Sequence, residues 1–401
     1  MSPPPAGYAL GMNERYALLA IGGGPAGLAA ARAYREAGGP GKVAIVTDEH
    51  RMPYNRPPLT KELLRGESDE ADLPIEEEPW LIEHRVGLIA ARAVSIDART
   101  REVLLTGGRT LPYDHCLLAT GAEPTRLPVP GVDDPAVQVV RTLDHLRELR
   151  ARLSPGDPVV VVGSGFIGCE IAASLRMRGH PVSLVSDEDA PNARRLGDEA
   201  AGMIATWLSE LGVTLALGKA VTEIVRDGRE LTVRASADEL RARTVVMAAG
   251  VAPRGELAAA CGVELHDGAI PADTAMRTEV EGLLAAGDAA FAFNRAAGRA
   301  LRVEHWGDAL GQGAVAGATA AGRAAAWDAV PGFWSTIGAH TLKYAAWGDG
   351  YDTVSTEHGE AGSWAAWYGR GGRIVGVLAH EADDSYERGR ELIAAGAPWV
   401  G

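Results

Sequence analysis

Apolar runs and alternating stretches divide the 401 residues into distinct elements. Tyr16-Ala-Leu-Leu-Ala-Ile21 is an apolar run that leads into Gly22-Gly-Gly24-Pro-Ala-Gly27, then an alanine-rich stretch to Glu36. A second apolar run, Val43–Val46, closes with Asp48. The same order recurs downstream. Val159–Val162 leads into Gly163-Ser-Gly165-Phe-Ile-Gly168, then a stretch to about Met177, then Val182–Val185 closing with Ser186-Asp187-Glu188. Short apolar runs on either side of a helical segment predict parallel strands, so each segment reads as a βαβ unit. Residues 222–245 alternate around Asp227-Gly228, which predicts a hairpin. After about residue 328, short alternating runs carry Trp334, Trp347, Trp364 and Trp367, with Gly371-Gly372 as a turn. They predict a small antiparallel sheet, followed by a helix near Asp384–Ala395.

The glycine spacing adds chemistry to the pattern. In a GxGxxG turn the first glycine permits the tight bend, the second lets a pyrophosphate approach the backbone, and the third lets helix and strand pack closely. The N–H groups at the helix start then face the phosphates. An acidic residue about 20 positions on reaches a ribose hydroxyl. Asp48 lies 21 residues after Gly27, and Asp187 lies 19 after Gly168. One such turn is also compatible with a purely structural glycine bend. Two in one chain point to two different dinucleotides, and FAD with a nicotinamide nucleotide is the pair between which a hydride passes.

Two further strand ends look alike. Leu117-Leu-Ala-Thr120-Gly121 precedes the proline-rich Glu123–Pro130, and Val245-Val-Met-Ala-Ala-Gly250 precedes Val251-Ala-Pro253. They read as two crossings between a first domain and one inserted into it. The expected fold is α/β, with two Rossmann-like dinucleotide-binding domains and a small C-terminal α+β domain. Residues 1–121 and 250–327 form a discontinuous FAD-binding domain, 122–249 the NAD(P)-binding domain, and 328–401 the C-terminal domain. Thr120 and Gly121 are assigned to the cofactor site.

Composition narrows the function. The net charge of −14 argues against nucleic acid and against an anionic membrane surface. No run of 18 apolar residues suggests a membrane span. Met1–Met12 holds Pro3-Pro4-Pro5 without Lys or Arg and reads as a short leader on a cytoplasmic protein. Cys116, Cys169 and Cys261 are far apart and form no CxxC pair, so neither a local redox disulfide nor a cysteine-based metal site is expected.

Four more motifs carry a resemblance: Pro53-Tyr54-Asn55-Arg56-Pro57-Pro58-Leu59-Thr60-Lys61, Gly168-Cys169-Glu170, Leu284-Ala-Ala-Gly287-Asp288 and Glu304-His305-Trp306. Over about residues 15–395 the chain resembles the FAD- and NAD(P)-dependent pyridine nucleotide oxidoreductases. It is most similar to the ferredoxin-reductase-like subgroup serving P450 and ring-hydroxylating dioxygenase systems; apoptosis-inducing factor shares the fold group. The resemblance implies that Arg56 contacts FAD, that Lys61 reaches toward flavin N5, and that Glu170 pairs with Lys61. It also implies that Asp288 holds the ribityl chain and that Trp306 stacks over flavin or nicotinamide. A core aromatic is the plainer reading of Trp306, as a small buried hydrophobe is of Cys169 and a satisfied core histidine of His305. Two departures stand out. Ser186 occupies a strand end where relatives often carry Glu, so either Asp187 or Glu188 substitutes or the ribose contact is weakened. The stretch Thr336–His340 lacks the polar, acidic run found in many relatives. The acidic residues favour NADH, while Arg194 and Arg195 keep NADPH open. The expected acceptor is a ferredoxin-type iron–sulfur protein, docked on a basic patch such as Arg295, Arg299 and Arg302. The alternatives are direct reduction of a small molecule (a quinone, oxygen or an organic radical) and a slow redox-sensing interaction protein. A monomer or a homodimer is expected.

Overall fold

The computed structural model describes residues 15–399; the proposed leader lies outside them. The chain forms two compact units. The first holds the residues up to Asn55, Pro74–Ala122 and Pro253–Phe333; the second holds Arg56–Leu73, Glu123–Ala252 and the chain from Trp334 onward.

In the first unit, Tyr16–Ile21 pairs in parallel with Lys42–Thr47 on one side and with Thr110–Leu118 on the other, Leu19 lying opposite Ala44 and Cys116. Val86–Ala90 extends the sheet beyond Lys42–Thr47, and Leu283–Ala285 joins Thr110–Leu118. Leu18, Leu19, Ala20, Ala44 and Ile45 are fully buried, as strands covered on both faces require. The helix Pro25–Glu36 packs on the helix Trp306–Ala320. The contact is close because the residues are small. A Cβ on Gly313 would stand 2.3 Å from the Ala26 carbonyl oxygen, and one on Gly317 would stand 2.1 Å from that of Ala30. The alanine- and glycine-rich composition of both helices is therefore a packing requirement.

The second unit repeats the plan. Its parallel sheet runs in the order Thr214–Ala216, Val182–Val185, Val159–Val162, Thr244–Met247, Val137–Gln138. All four valines 159–162 are buried. Residues 221–242 form a meander of three strands, Val221–Asp227, Glu230–Ala235 and Asp238–Ala242, rather than a hairpin. The second turn escapes the sequence pattern because Ser236, with φ 52°, makes it without glycine, proline or asparagine. From residue 332 five antiparallel strands follow in the order Gly332–Ile337, His340–Ala346, Arg373–His380, Trp364–Arg370, Thr353–His358, and then the helix Asp383–Ala394.

An aromatic cluster joins this sheet to the helix Asp198–Glu210. Trp207 stacks on His340 at 4.3 Å between ring centres, with His380 at 4.9 Å and Trp364 at 6.5 Å. Burial, helped by His380 and opposed by Glu210 and Glu381, holds the His340 pKa below its ordinary 6.5. The unfolded chain therefore takes up this proton first as pH falls. Stability carried by neutral His340 is present above pH 6.5 and is lost below it, down to the depressed folded value. The melting temperature should drop between pH 7 and 5.5, and His340→Phe should flatten that slope. An identical slope in the variant would show that other groups carry it.

Candidate functional site

The first glycine turn is closely packed at its first and third glycines. Gly22 sits at φ +129°, and a Cβ there would lie 2.0 Å from the Ala119 carbonyl oxygen. The third glycine, Gly27, packs on the Gly22 carbonyl, where a Cβ would stand at 2.2 Å. The middle glycine differs: a Cβ on Gly24 would meet nothing within 4 Å. Gly24 also begins the helix Pro25–Glu36 with no side-chain cap, which leaves the first-turn N–H groups to a ligand. One more motif and a buried helix residue meet at the turn. Gly287 sits against it, its virtual Cβ 3.3 Å from Ala26, with Asp288 buried beside it. Gln312 accepts a hydrogen bond from the Gly287 N–H at 2.8 Å, while its buried Nε2 has no partner. A buried orphan donor, an open glycine face and an uncapped helix start are what an anionic dinucleotide would satisfy.

The remaining first-unit candidates are placed as follows. Thr120 Oγ1 donates to the Arg254 carbonyl at 2.6 Å, and the Gly121 carbonyl accepts from Arg254 N at 2.9 Å. This strand end thus ties down the returning chain. Asp48, at the end of its strand, holds Arg92 at 3.0 Å. Trp306 opens its helix, half-buried, and His305 precedes it. His305 Nδ1 lies 3.2 Å from Asp308, and its ring packs against Phe333 at 4.6 Å. In the candidate basic cluster, Arg295 pairs with Asp328 and Arg302 pairs with Glu304.

The second turn matches the first. Gly163 has φ +105°, with a virtual Cβ 2.3 Å from the Ala248 carbonyl oxygen; Gly168 packs on the Gly163 carbonyl; Gly165 faces open space. Gly165 begins the helix Phe166–Met177, again without a side-chain cap. Ser186, the departure at the strand end, is buried. The Ser164 hydroxyl donates to Ser186 Oγ at 2.8 Å, and Ser186 Oγ accepts from the Glu188 N–H at 3.2 Å. It is built into the turn, which commits its hydroxyl to Ser164 and the Glu188 amide. Asp187 is exposed and holds the Arg194 guanidinium at 2.8 Å, while Glu188 accepts from the Arg194 N–H at 3.1 Å. The guanidinium beside Asp187 keeps its carboxyl below the usual range.

Lys61 and Glu170 meet inside the second unit. Lys61 Nζ donates to Glu170 Oε2 at 2.7 Å and to the Pro57 carbonyl at 3.2 Å, with side chains 5% and 2% exposed. Two residues missed in the sequence complete the group. Thr60 Oγ1 donates to Glu170 Oε2 at 2.5 Å, and Ser335 Oγ donates to Oε1 at 2.7 Å. Thr60 stands within the Pro53–Lys61 motif, so its place was legible in the sequence although its bond to Glu170 was not. Ser335 lies 165 positions from Glu170, and no local pattern marks it. The helix Phe166–Met177 therefore has an uncapped start and, about one turn in, carries Glu170. Ser174, further along, donates to the Thr60 carbonyl at 2.7 Å and anchors the lysine segment to the same helix. Arg56 Nη1 donates to the Arg141 carbonyl at 2.8 Å. Cys169 is fully buried and its Sγ donates to the Ser164 carbonyl at 3.3 Å; burial pushes this thiol up, as it does those of Cys116 and Cys261. None of the three is a ready thiolate.

Residues 16–313 match the family model described as pyridine nucleotide-disulphide oxidoreductase, and residues 332–400 match a reductase C-terminal model. The chain belongs to the pyridine nucleotide-disulphide oxidoreductase family. It is 34% identical to the rhodocoxin reductase of Rhodococcus erythropolis, over 95% of this chain and 90% of that protein. Among solved structures it is similar to the ferredoxin reductase for the CYP199A2 system from Rhodopseudomonas palustris, with TM-score 0.90, 33% identity and coverage of 96% and 95%. It is also similar to a covalent putidaredoxin reductase–putidaredoxin complex, with TM-score 0.90, 25% identity and coverage of 97% and 94%. As a member of this family the chain is an oxidoreductase that uses FAD and NAD(P)H. Its two open turns fit that pair. The disulphide chemistry in the family's description has no counterpart in this chain's three lone, buried or half-buried cysteines.

Proposed function

We propose that this flavoprotein takes a hydride from NADH and passes electrons one at a time to a ferredoxin-type iron–sulfur protein. The observation that carries this reading is the presence of two open, uncapped glycine turns in one chain. One suits FAD and the other the nicotinamide nucleotide. Three relatives named as rhodocoxin reductase, putidaredoxin reductase and the ferredoxin reductase for the CYP199A2 system support the acceptor class.

Bound FAD would supply a two-electron acceptor that can release electrons singly. This chain's residues do the holding and the tuning. Gly22, Gly24, Gly27, Gly287, Asp288 and Gln312 would hold the FAD phosphates and ribityl chain, with Asp48 on the adenosine ribose and Arg56, Thr120 and Gly121 completing the contacts. Gly163, Gly165 and Gly168 would hold the nicotinamide nucleotide's pyrophosphate. Asp187 and Glu188 would hold its ribose, and they disfavour a 2′-phosphate because Arg194 is already engaged. Trp306 would stack on a ring. Lys61, fixed by Glu170, has one N–H left after Pro57 and Glu170, and we assign it to flavin N5. The three free cysteines suit a reducing compartment, which supports a cytoplasmic location. No helix among the described residues is long and apolar enough to cross a membrane.

Stopped-flow spectroscopy tests the reading. The purified protein should be yellow, be bleached by NADH, and be re-oxidised rapidly by added ferredoxin. The kcat/KM for NADH should exceed that for NADPH by roughly tenfold or more. A colourless protein would remove the flavin. Re-oxidation by quinone or oxygen alone would assign a small-molecule acceptor, and a long-lived reduced species unaffected by any acceptor would assign a redox sensor.

A further inference from the structure

The group around Glu170 holds more than an ion pair. A carboxylate has about four acceptor positions, and here three donors occupy it. Thr60 Oγ1 and Lys61 Nζ share Oε2, and Ser335 Oγ alone takes Oε1. Ser335 is fully buried on the strand Gly332–Ile337, between the exposed Trp334 and the half-buried Thr336. The strand's two-residue alternation turns it inward.

We propose that Ser335, assisted by Thr60, is a positioning residue for hydride transfer. This inference rests on the flavin reading above. With Oε1 taken by the serine, the Lys61 ammonium is confined to Oε2 and the Pro57 carbonyl, and its third N–H stays free for the flavin. Without the serine, Oε1 becomes a bare anionic oxygen in a dry site. The nearest mobile donor is Lys61, which would be drawn across to straddle both oxygens and would turn its third N–H away. The C-terminal segment would thus set the direction of a cation that belongs to a distant motif. Composition makes this lysine easy to observe. The chain has only four lysines among its 39 cationic residues, at positions 42, 61, 219 and 343, and of these Lys61 alone is buried.

The test compares wild type, Ser335→Ala and Ser335→Thr as purified with their flavin. Selective ¹⁵N-lysine labelling gives at most four ammonium signals, and the shielded Lys61 should be the slowest to exchange. Ser335→Ala should move that signal and lower the flavin midpoint potential. It should slow hydride transfer at saturating NADH roughly tenfold while leaving the half-saturating NADH concentration unchanged. Ser335→Thr should restore all of these. The proposal is overturned if Ser335→Ala leaves both the Lys61 signal and the potential at their wild-type values, whether or not its melting temperature falls. Should the alanine variant not fold, Ser335→Cys, of similar volume but a weak donor, is read by the same criteria. A wild-type chain that purifies without FAD would overturn the functional reading, while the Lys61 signal of the variants would still decide the role of Ser335.

Discussion

Replacing Glu170 by alanine is expected to cost about 3–5 kcal/mol of stability and to slow flavin reduction by NADH about 10²-fold. Lys61 and Glu170 are both nearly excluded from water. Removing the carboxylate strands an ammonium whose remaining protein partner is one carbonyl, that of Pro57. It also leaves the Thr60 and Ser335 hydroxyls without their acceptor. The double variant Lys61→Met/Glu170→Met separates the two effects. A buried ion pair exchanged for apolar residues of similar size is often neutral or stabilising, so the double variant should regain most of the lost stability. It should not regain the rate, because the N–H assigned to the flavin is gone. Denaturant unfolding and stopped-flow absorbance read the two quantities. A single variant as stable as wild type would mean the pair is solvated. A double variant with the wild-type rate would remove Lys61 from the chemistry.

The second large effect lies in the middle glycines of the two turns. Gly24 has φ −91° and ψ −174°, and Gly165 has φ −67° and ψ 177°. Both are extended conformations open to any residue, and neither position has an atom within 4 Å of a virtual Cβ. Valine should therefore fold at either site while filling the space a pyrophosphate needs. Gly24→Val is expected to weaken FAD affinity roughly 10²-fold or more and to purify nearly colourless. Gly165→Val should stay yellow, with its NADH affinity falling by a similar factor. Gly22→Ala is the contrast. Its Cβ would overlap the Ala119 carbonyl at a positive φ, so it should damage the fold itself. Flavin content, nucleotide titration and the melting temperature distinguish the three. Full FAD content in Gly24→Val would show that no phosphate approaches this turn.

The gap between reading the chain and seeing it folded follows the range of each interaction. Strand, turn and helix lie within about 30 residues in each βαβ unit, so periodicity and glycine spacing were enough to place Tyr16–Ile21, Pro25–Glu36, Val159–Val162 and Phe166–Met177. The meander's second turn was missed because Ser236 takes a left-handed conformation that its residue type does not advertise. Charge counting alone does not show that Asp328, 33 positions away, pairs with Arg295, whereas Glu304 stands two residues from Arg302 and is visible beside it in the sequence. Ser186 stood out in the sequence as a departure, but only the folded turn shows that its hydroxyl serves Ser164 and the Glu188 amide.

The primary structure alone determined the two glycine turns, because their geometry depends on missing side chains at fixed short intervals, and missing side chains are visible in a list of residues. Family motifs added the pairing of Lys61 with Glu170. Tertiary structure alone decided that a serine 165 positions away completes that pair and that Gln312 leaves a buried donor beside Gly287. Those contacts are fixed by how strands and helices stack, and a hydroxyl or an amide carries no local mark of the partner that packing will give it.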